Sequence, residues 1–226
     1  MKHYDSIENI KTDASLIGEE VWAFNKLDGQ NFCAEIQPKS KKFVHFGSRN
    51  RTVDESDLQF GQTVKYFKES KIPEILIKIL TDNSKKGDYF NSAEKVTFFF
   101  EWYGENSFAG SHQEGDEMHL ALIDVNVKKK GYIEPKTFYE LFYGIDGLEV
   151  PELIFRGKLT KEFISSINNN DWTKENCQYP HVKEGVVCRR STQLKGQKMP
   201  KVKIKTNWWL NKLHSDYPEN KWKELE

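Results

Sequence analysis

Three short runs near the start of the chain, residues 22–27, 31–37 and 42–46, are rich in β-branched and aromatic side chains and are cut apart by Asp28-Gly29 and by Pro38-Lys39-Ser40. Runs this short and this closely punctuated leave no room for helices between them. They predict strand, hairpin turn, strand, turn, strand. Helical spacing begins only afterwards, over residues 58–80, where an interruption at Pro73 predicts two helices or one kinked helix. Apolar strands are then expected over 96–102 and 118–127, helices over 135–143 and 161–167, the second with Thr160 as its cap, and strands over 186–189 and 202–205. Strands gather at both ends, and helices interrupt them rather than alternate with them. The fold class this predicts is α+β with mainly antiparallel sheets.

A chain of 226 residues buries a sizeable core without disulfides or metals. The expected layout is one domain over residues 1–206 and a short helical tail over 207–226, with no separate C-terminal domain. The tail holds Trp208, Trp209, Leu210, Leu213, Tyr217 and Trp222, which fits a helix packed on the domain, with a base-stacking surface as the alternative. No apolar run approaches the roughly 20 residues that cross a bilayer, and residues 1–10 have no apolar leader core. The expectation is an intracellular, cytoplasmic protein with no membrane partner, and a viral origin is left open. Cys33, Cys177 and Cys188 form no C-x-x-C pair and read as small buried hydrophobes rather than a disulfide framework or a zinc site. The histidines, including His112 and His119, have no metal-ligand spacing. Neither a G-x-x-x-x-G-K-[ST] phosphate loop nor a G-x-S-x-G elbow occurs. Polar loops near 81–88, 105–117, 168–180 and 190–198 are candidates to border a site.

Formal net charge is zero, yet the charge is unevenly spread: residues 183–212 hold nine Lys or Arg and one acid, Glu184, while residues 96–127 hold six acids and no Lys or Arg. A solvated face accounts for either block taken singly. Glu184, alone inside the basic block, needs a reason of its own.

The residues with the most chemistry are Asn25-Lys26-Leu27-Asp28-Gly29-Gln30-Asn31-Phe32. A lysine that attacks phosphorus must first lose its proton, which burial or cationic neighbours promote. Lys203 and Lys205 are spaced by two, so they share one side of a strand and could serve as those neighbours while also holding phosphate oxygens. As a bare pattern K-x-D-G is short, and a surface turn explains it equally well. Here it is followed in order by Gly47-Ser48-Arg49-Asn50, by Glu101 inside the apolar run 98–104, by Leu122-Ile123-Asp124-Val125, by Glu184-Gly185-Val186-Val187, and by Lys201-Val202-Lys203-Ile204-Lys205.

This ordered set resembles the six motifs of the covalent nucleotidyltransferase superfamily of ATP-dependent DNA ligases, RNA ligases and mRNA capping enzymes, over about residues 20–206. The continuation Gly29-Gln30-Asn31-Phe32 is similar to that of the second phage RNA ligase and kinetoplastid editing ligase family. The resemblance implies an ATP-grasp-like nucleotidyltransferase fold whose antiparallel sheets flank a nucleotide cleft. It implies an ATP-dependent RNA ligase that joins 5′-phosphate and 3′-hydroxyl ends, nicked or single-stranded, through a lysyl-AMP intermediate. Lys26 would be the nucleophile, preceded by Asn25. Asp28 and Asn31 would shape the nucleotide pocket and Arg49 would contact ribose or phosphate through its rigid fork. Glu101 would accept from the ribose hydroxyls. Glu184 would bind the divalent metal, Mg²⁺ or Mn²⁺, and Lys203 and Lys205 would neutralise the α-phosphate. One position departs from the pattern: where the family carries an adenine-stacking ring, the matching residue is Leu120, with Val187 as the opposite wall. A DNA ligase or capping-type enzyme on the same domain is the nearest rival, and a nucleotide- or RNA-binding module that seals nothing is the next. Families of the first kind usually continue into a further domain, so a protein partner that grips nucleic acid is also left open, as are DNA ends.

Overall fold

The structure, a computed structural model, describes residues 1–82, 90, 93–105, 115–193, 199–220 and 222. His112 and much of the polar stretches at 81–88, 105–117 and 190–198 lie outside them. The chain divides into two compact units, one of Met1–Asp5, Gln30–Tyr103 and Met118–Val150, the other of Ser6–Gly29, Gly104–Glu117 and Pro151–Glu226. No helix among the described residues is long and apolar enough to cross a membrane.

The second of these units is built on a five-stranded sheet in the order β1-β11-β10-β2-β9. Its strands are β1 (Glu8–Asn9), β2 (Glu20–Lys26), β9 (Leu153–Lys158), β10 (Gly185–Arg190) and β11 (Lys201–Lys205). All pairings are antiparallel except β1 with β11. Alternation fixes what each face presents. Val21 and Ala23 of β2, Val186 and Cys188 of β10, and Val202 and Ile204 of β11 join Leu159, Phe163 and Ile167 in one buried cluster. Phe163 and Ile167 come from a helix over Lys161–Asn168, whose N-cap Thr160 accepts from the Phe163 amide as expected. The other face therefore carries Trp22, Phe24 and Lys26 beside Gly185, Val187 and Arg189, and these beside Lys201, Lys203 and Lys205. The strand β9 went unread in the sequence because Arg156, Gly157 and Lys158 break its apolar run.

The other unit carries a six-stranded antiparallel sheet, β5-β4-β3-β6-β7-β8. These are β3 (Gln30–Gln37), β4 (Lys42–Ser48), β5 (Thr52–Val53), β6 (Val96–Tyr103), β7 (His119–Val127) and β8 (Gly131–Tyr132). Its helices are α1 (Gly61–Glu69), α2 (Ile72–Thr81) and α3 (Pro135–Phe142). Pro73 sits in the first turn of α2, where its missing N–H costs nothing, so it starts that helix and the break falls just before it. On one face Phe32, Phe98 and Phe100 are fully buried. Phe67 of α1 meets Phe32 and Phe100 with ring centroids 5.9 and 5.6 Å apart, and Phe142 of α3 meets Phe98 at 6.2 Å. On the opposite face the first residues of the chain cover Phe99 and Cys33: Tyr4 lies 4.9 Å from Phe99 and donates to Asp124 Oδ2 at 3.3 Å.

The expected hairpin at Asp28-Gly29 is absent. β2 pairs with β9 and β10, and β3 pairs with β4 and β6, so the chain leaves one sheet and enters the other at this turn. A tight turn specifies a change of direction, whereas strand pairing is chosen by burial: Val21, Trp22, Ala23 and Phe24 are all buried and need a neighbour on either side.

Candidate active site

Register assembles the site of the five-stranded sheet. Gly185 opens β10 and is paired on one side with Lys26, the last residue of β2, and on the other with Lys205, the last residue of β11. A glycine is required there: its φ is +153°, and a Cβ would collide with the carbonyl oxygen of Ile204. The residue just before it, Glu184, is thereby delivered between two strand-end lysines. Lys26 Nζ donates to Glu184 Oε2 at 2.8 Å and Lys205 Nζ lies 3.1 Å from Oε1. Glu184 and Lys205 are 2% and 3% exposed, while the Lys26 side chain keeps 22% of its surface open. The lysine expected to react is the open member of the trio.

Two cations on one anion set the electrostatics. Burial works to raise the Glu184 carboxyl, but Lys26 and Lys205 outweigh it and hold the group below the ordinary carboxylate range. Lys205 moves the other way, down to about 8, because burial disfavours its charge and the Lys26 and Lys203 ammoniums add repulsion that Glu184 only partly offsets. The two shifts reflect one asymmetry: Glu184 has two partners of opposite sign, whereas Lys205 has one and two of its own sign. The predicted neighbours of Lys26 are thus resolved into Lys205, which shares its carboxylate, and Lys203, one row further along, beside Val187 and Phe24.

The backbone around this trio is tied down. Thr206 N–H donates to the Glu184 carbonyl at 2.9 Å, and the Thr206 hydroxyl donates to the Lys183 carbonyl at 2.7 Å. Thr206 is also the N-cap of α5 (Asn207–Asp216), the label α4 going to Lys161–Asn168, and its Oγ1 accepts from the Trp209 amide at 3.1 Å. Trp209 closes the group: the Lys205 Nζ sits 3.4 Å from its ring centroid, and its Nε1–H donates to Asp28 Oδ2 at 3.3 Å. Sequence reading placed Trp209 in a packing tail and missed this role; its position four residues after Lys205, behind a Thr cap, was the available signal. Asn25 donates from Nδ2 to the His181 carbonyl at 3.0 Å and keeps a buried Oδ1 that accepts no hydrogen bond among the described residues.

The other unit holds Asn31, Arg49, Glu101 and Leu120. Asn31 and Glu101 are register partners on one face of the six-stranded sheet. Asn31 donates to the Phe100 carbonyl at 3.2 Å, and its own Oδ1 is buried and accepts nothing among the described residues, an acceptor ready for a ligand's donor. Arg49 is exposed just past β4, while its neighbour Arg51 is committed to Asp57. Leu120 lies on the face of its sheet opposite Glu101. It pairs with Trp102, whereas Glu101 pairs with Ala121, so by strand alternation Leu120 faces the buried aromatic side, where it is 2% exposed. β7 also slips by one residue here: Phe100 pairs with Leu122 and Phe99 with Asp124, leaving Ile123 as the extra, half-buried residue.

The donor set bears on the metal. No group of three or more His, Cys, Asp or Glu able to hold a metal occurs among the described residues, and both oxygens of Glu184 already meet ammonium groups. Mg²⁺ usually takes one or two protein carboxylates and draws the rest of its shell from substrate phosphates and water, and the carboxylate this group offers is Glu184.

Two antiparallel-rich sheets, with a lysine at the end of one strand and a Glu and a second lysine on the strands beside it, define a nucleotidyltransferase-type fold. The chain belongs to the RNA ligase family, whose model matches residues 19–205. Among solved structures it is similar to the Naegleria gruberi RNA ligase with pyrophosphate, at 16% identity and a TM-score of 0.64, covering 96% of this chain and 59% of that one. A mutant of that ligase with ATP and Mn gives the same values, and another with AMP and Mn gives a TM-score of 0.61 at 16% identity over the same shares. The chain thus spans about three fifths of the length of these structures. No curated protein sequence matches it.

Proposed function

We propose that the protein is an ATP-dependent RNA ligase and that Lys26 is its nucleophile. The observation that carries this reading is the partly open Lys26 held against buried Glu184, with Lys205 on the same carboxylate. Attack needs the neutral amine, and the proton that must leave is the one Lys26 donates to Glu184. The Lys26 nitrogen then bonds to the α-phosphorus of ATP as the bond to pyrophosphate breaks. Lys205 and Lys203 face the charge that builds on the α-phosphate oxygens, where preorganised cations act most strongly. AMP next passes to an RNA 5′-phosphate: the P–N bond breaks, a P–O–P linkage forms, and Lys26 is released. A 3′-hydroxyl attacks that 5′-phosphate, forms the phosphodiester and expels AMP. Asp28 follows Lys26 on the turn, Asn25 braces the Lys26 strand end against the His181 carbonyl, and Val187 lies on the face of Lys26, while the other unit by itself presents Asn31, Glu101 and Arg49 as groups able to contact a nucleotide. A bound Mg²⁺ or Mn²⁺, held by Glu184 and the phosphates, would shield the β- and γ-phosphate charge. The partners are RNA ends in an intracellular, cytoplasmic setting.

The test is transfer of label. With Mg²⁺ and α-labelled ATP the protein should carry label that survives denaturation, GTP should give far less, and Lys26→Ala should give none. No transfer from either nucleotide sinks the reading, and label on Lys26→Ala sinks the nucleophile. Sealing of nicked RNA over nicked DNA and single strands then reads the substrate.

A further inference from the structure

From this geometry we infer that Trp209 is a positioning residue of the adenylyl-transfer site, fixing the Lys205 ammonium over its ring face and the Asp28 carboxylate on its indole N–H. The inference deepens the proposed ligase reading and rests on it.

Three observations combine. Trp209 is 1% exposed, so its ring cannot be a surface on which bases stack. Lys205, 3% exposed, stands with its Nζ 3.4 Å from the ring centroid, and a desolvated ammonium over an indole is a strong cation–π contact. Asp28, 6% exposed, receives the indole N–H at 3.3 Å. The same side chain therefore touches an acid on the turn after Lys26 and the cation at the end of β11, two groups 177 residues apart in the chain.

Trp209 itself follows Lys205 by only four residues. What brings the indole to both groups is the Thr206 cap, which accepts from the Trp209 amide and fixes the first turn of α5 directly behind β11. Lys205 is a long side chain that loses much rotamer freedom when held, so a fixed platform beneath its ammonium keeps it aimed where the α-phosphate charge develops.

The test separates ring from N–H and both from folding. Trp209→Phe keeps a ring face and loses the donor; Trp209→Leu keeps bulk and loses both. Lysyl-AMP formation at saturating ATP should fall severalfold in Trp209→Phe and about a hundredfold in Trp209→Leu, with the KM for ATP moving less than the rate. In spectra of carbon-13-labelled lysine, assigned with Lys205→Arg, the Lys205 Cε protons should be shifted upfield by the ring in wild type and Trp209→Phe and released in Trp209→Leu. Equal rates in the two variants, or losses that follow their melting temperatures, overturn the inference. So does a Lys205 signal that Trp209→Leu leaves in place. A wild type that forms no lysyl-AMP defeats the ligase reading instead, and the lysine spectrum still decides whether Trp209 holds Lys205.

Discussion

Lys205 is the lysine of the site whose protonation its surroundings alter, and its effect on stability has a definite sign. Burial first, and then Lys26 and Lys203, bring it down to about 8 from an ordinary 10.5. Between those values the unfolded chain holds a proton that the folded one has released, so the contribution of this group to stability is least below about pH 8 and rises as pH goes from about 8 to 10.5. Urea unfolding of wild type and Lys205→Met across that range checks it: the difference between them should change with pH in that direction, and a parallel pair of curves would contradict the assignment. Two of the three thiols behave as the sequence suggested, since burial pushes both Cys33 and Cys188 up to about 12 and leaves them inert, whereas Cys177, expected to be buried with them, is only part-buried and its Sγ donates to Asn170 Oδ1 at 3.0 Å.

At the scale of elements, the start of β10 decides the site. Gly185 is the point where β2 and β11 both pair with β10, and no side chain fits there. Gly185→Ala should push β10 away from Ile204, separate Glu184 from the two lysines, and cut lysyl-AMP formation by at least tenfold with a loss of a few kcal/mol, the range for strain at a special backbone position. Equal activity and equal denaturation midpoints would show that the sheet absorbs the methyl. The order of the motifs along the chain was legible because each lies in or next to a short strand, where the two-residue period makes side-chain parity readable. Which strands lie side by side was not, and the Asp28-Gly29 turn, expected to close a hairpin, joins two different sheets instead.

For the whole molecule, a net charge of zero coexists with a basic stretch over residues 183–212. If that stretch faces the phosphates of RNA, binding should weaken on the order of tenfold between 50 and 200 mM salt, the loss that goes with about two neutralised phosphates on a single strand. Fluorescence anisotropy with a labelled RNA measures it, and affinity independent of salt would exclude the basic stretch from the contact. Lys203→Ala should flatten the slope, whereas Lys2→Ala, in the other unit, should not.

The sequence by itself determined the class of fold, the strand-end lysine, the lone acid in a basic block and the pair of lysines spaced by two, because each of these is local: it needs only composition, turn chemistry and the two-residue period of a strand. It also carried the membership that the RNA ligase family match establishes over residues 19–205. Only the tertiary structure decided which groups meet. Glu184 turned out to bridge Lys26 and Lys205 because Gly185 pairs with both strands, Leu120 turned away from Glu101 because its register partner is Trp102, and Trp209 came to touch Lys205 and Asp28 because a Thr cap sets the helix behind β11. Pairing and register are set by burial summed over distant segments, and no local pattern contains that sum.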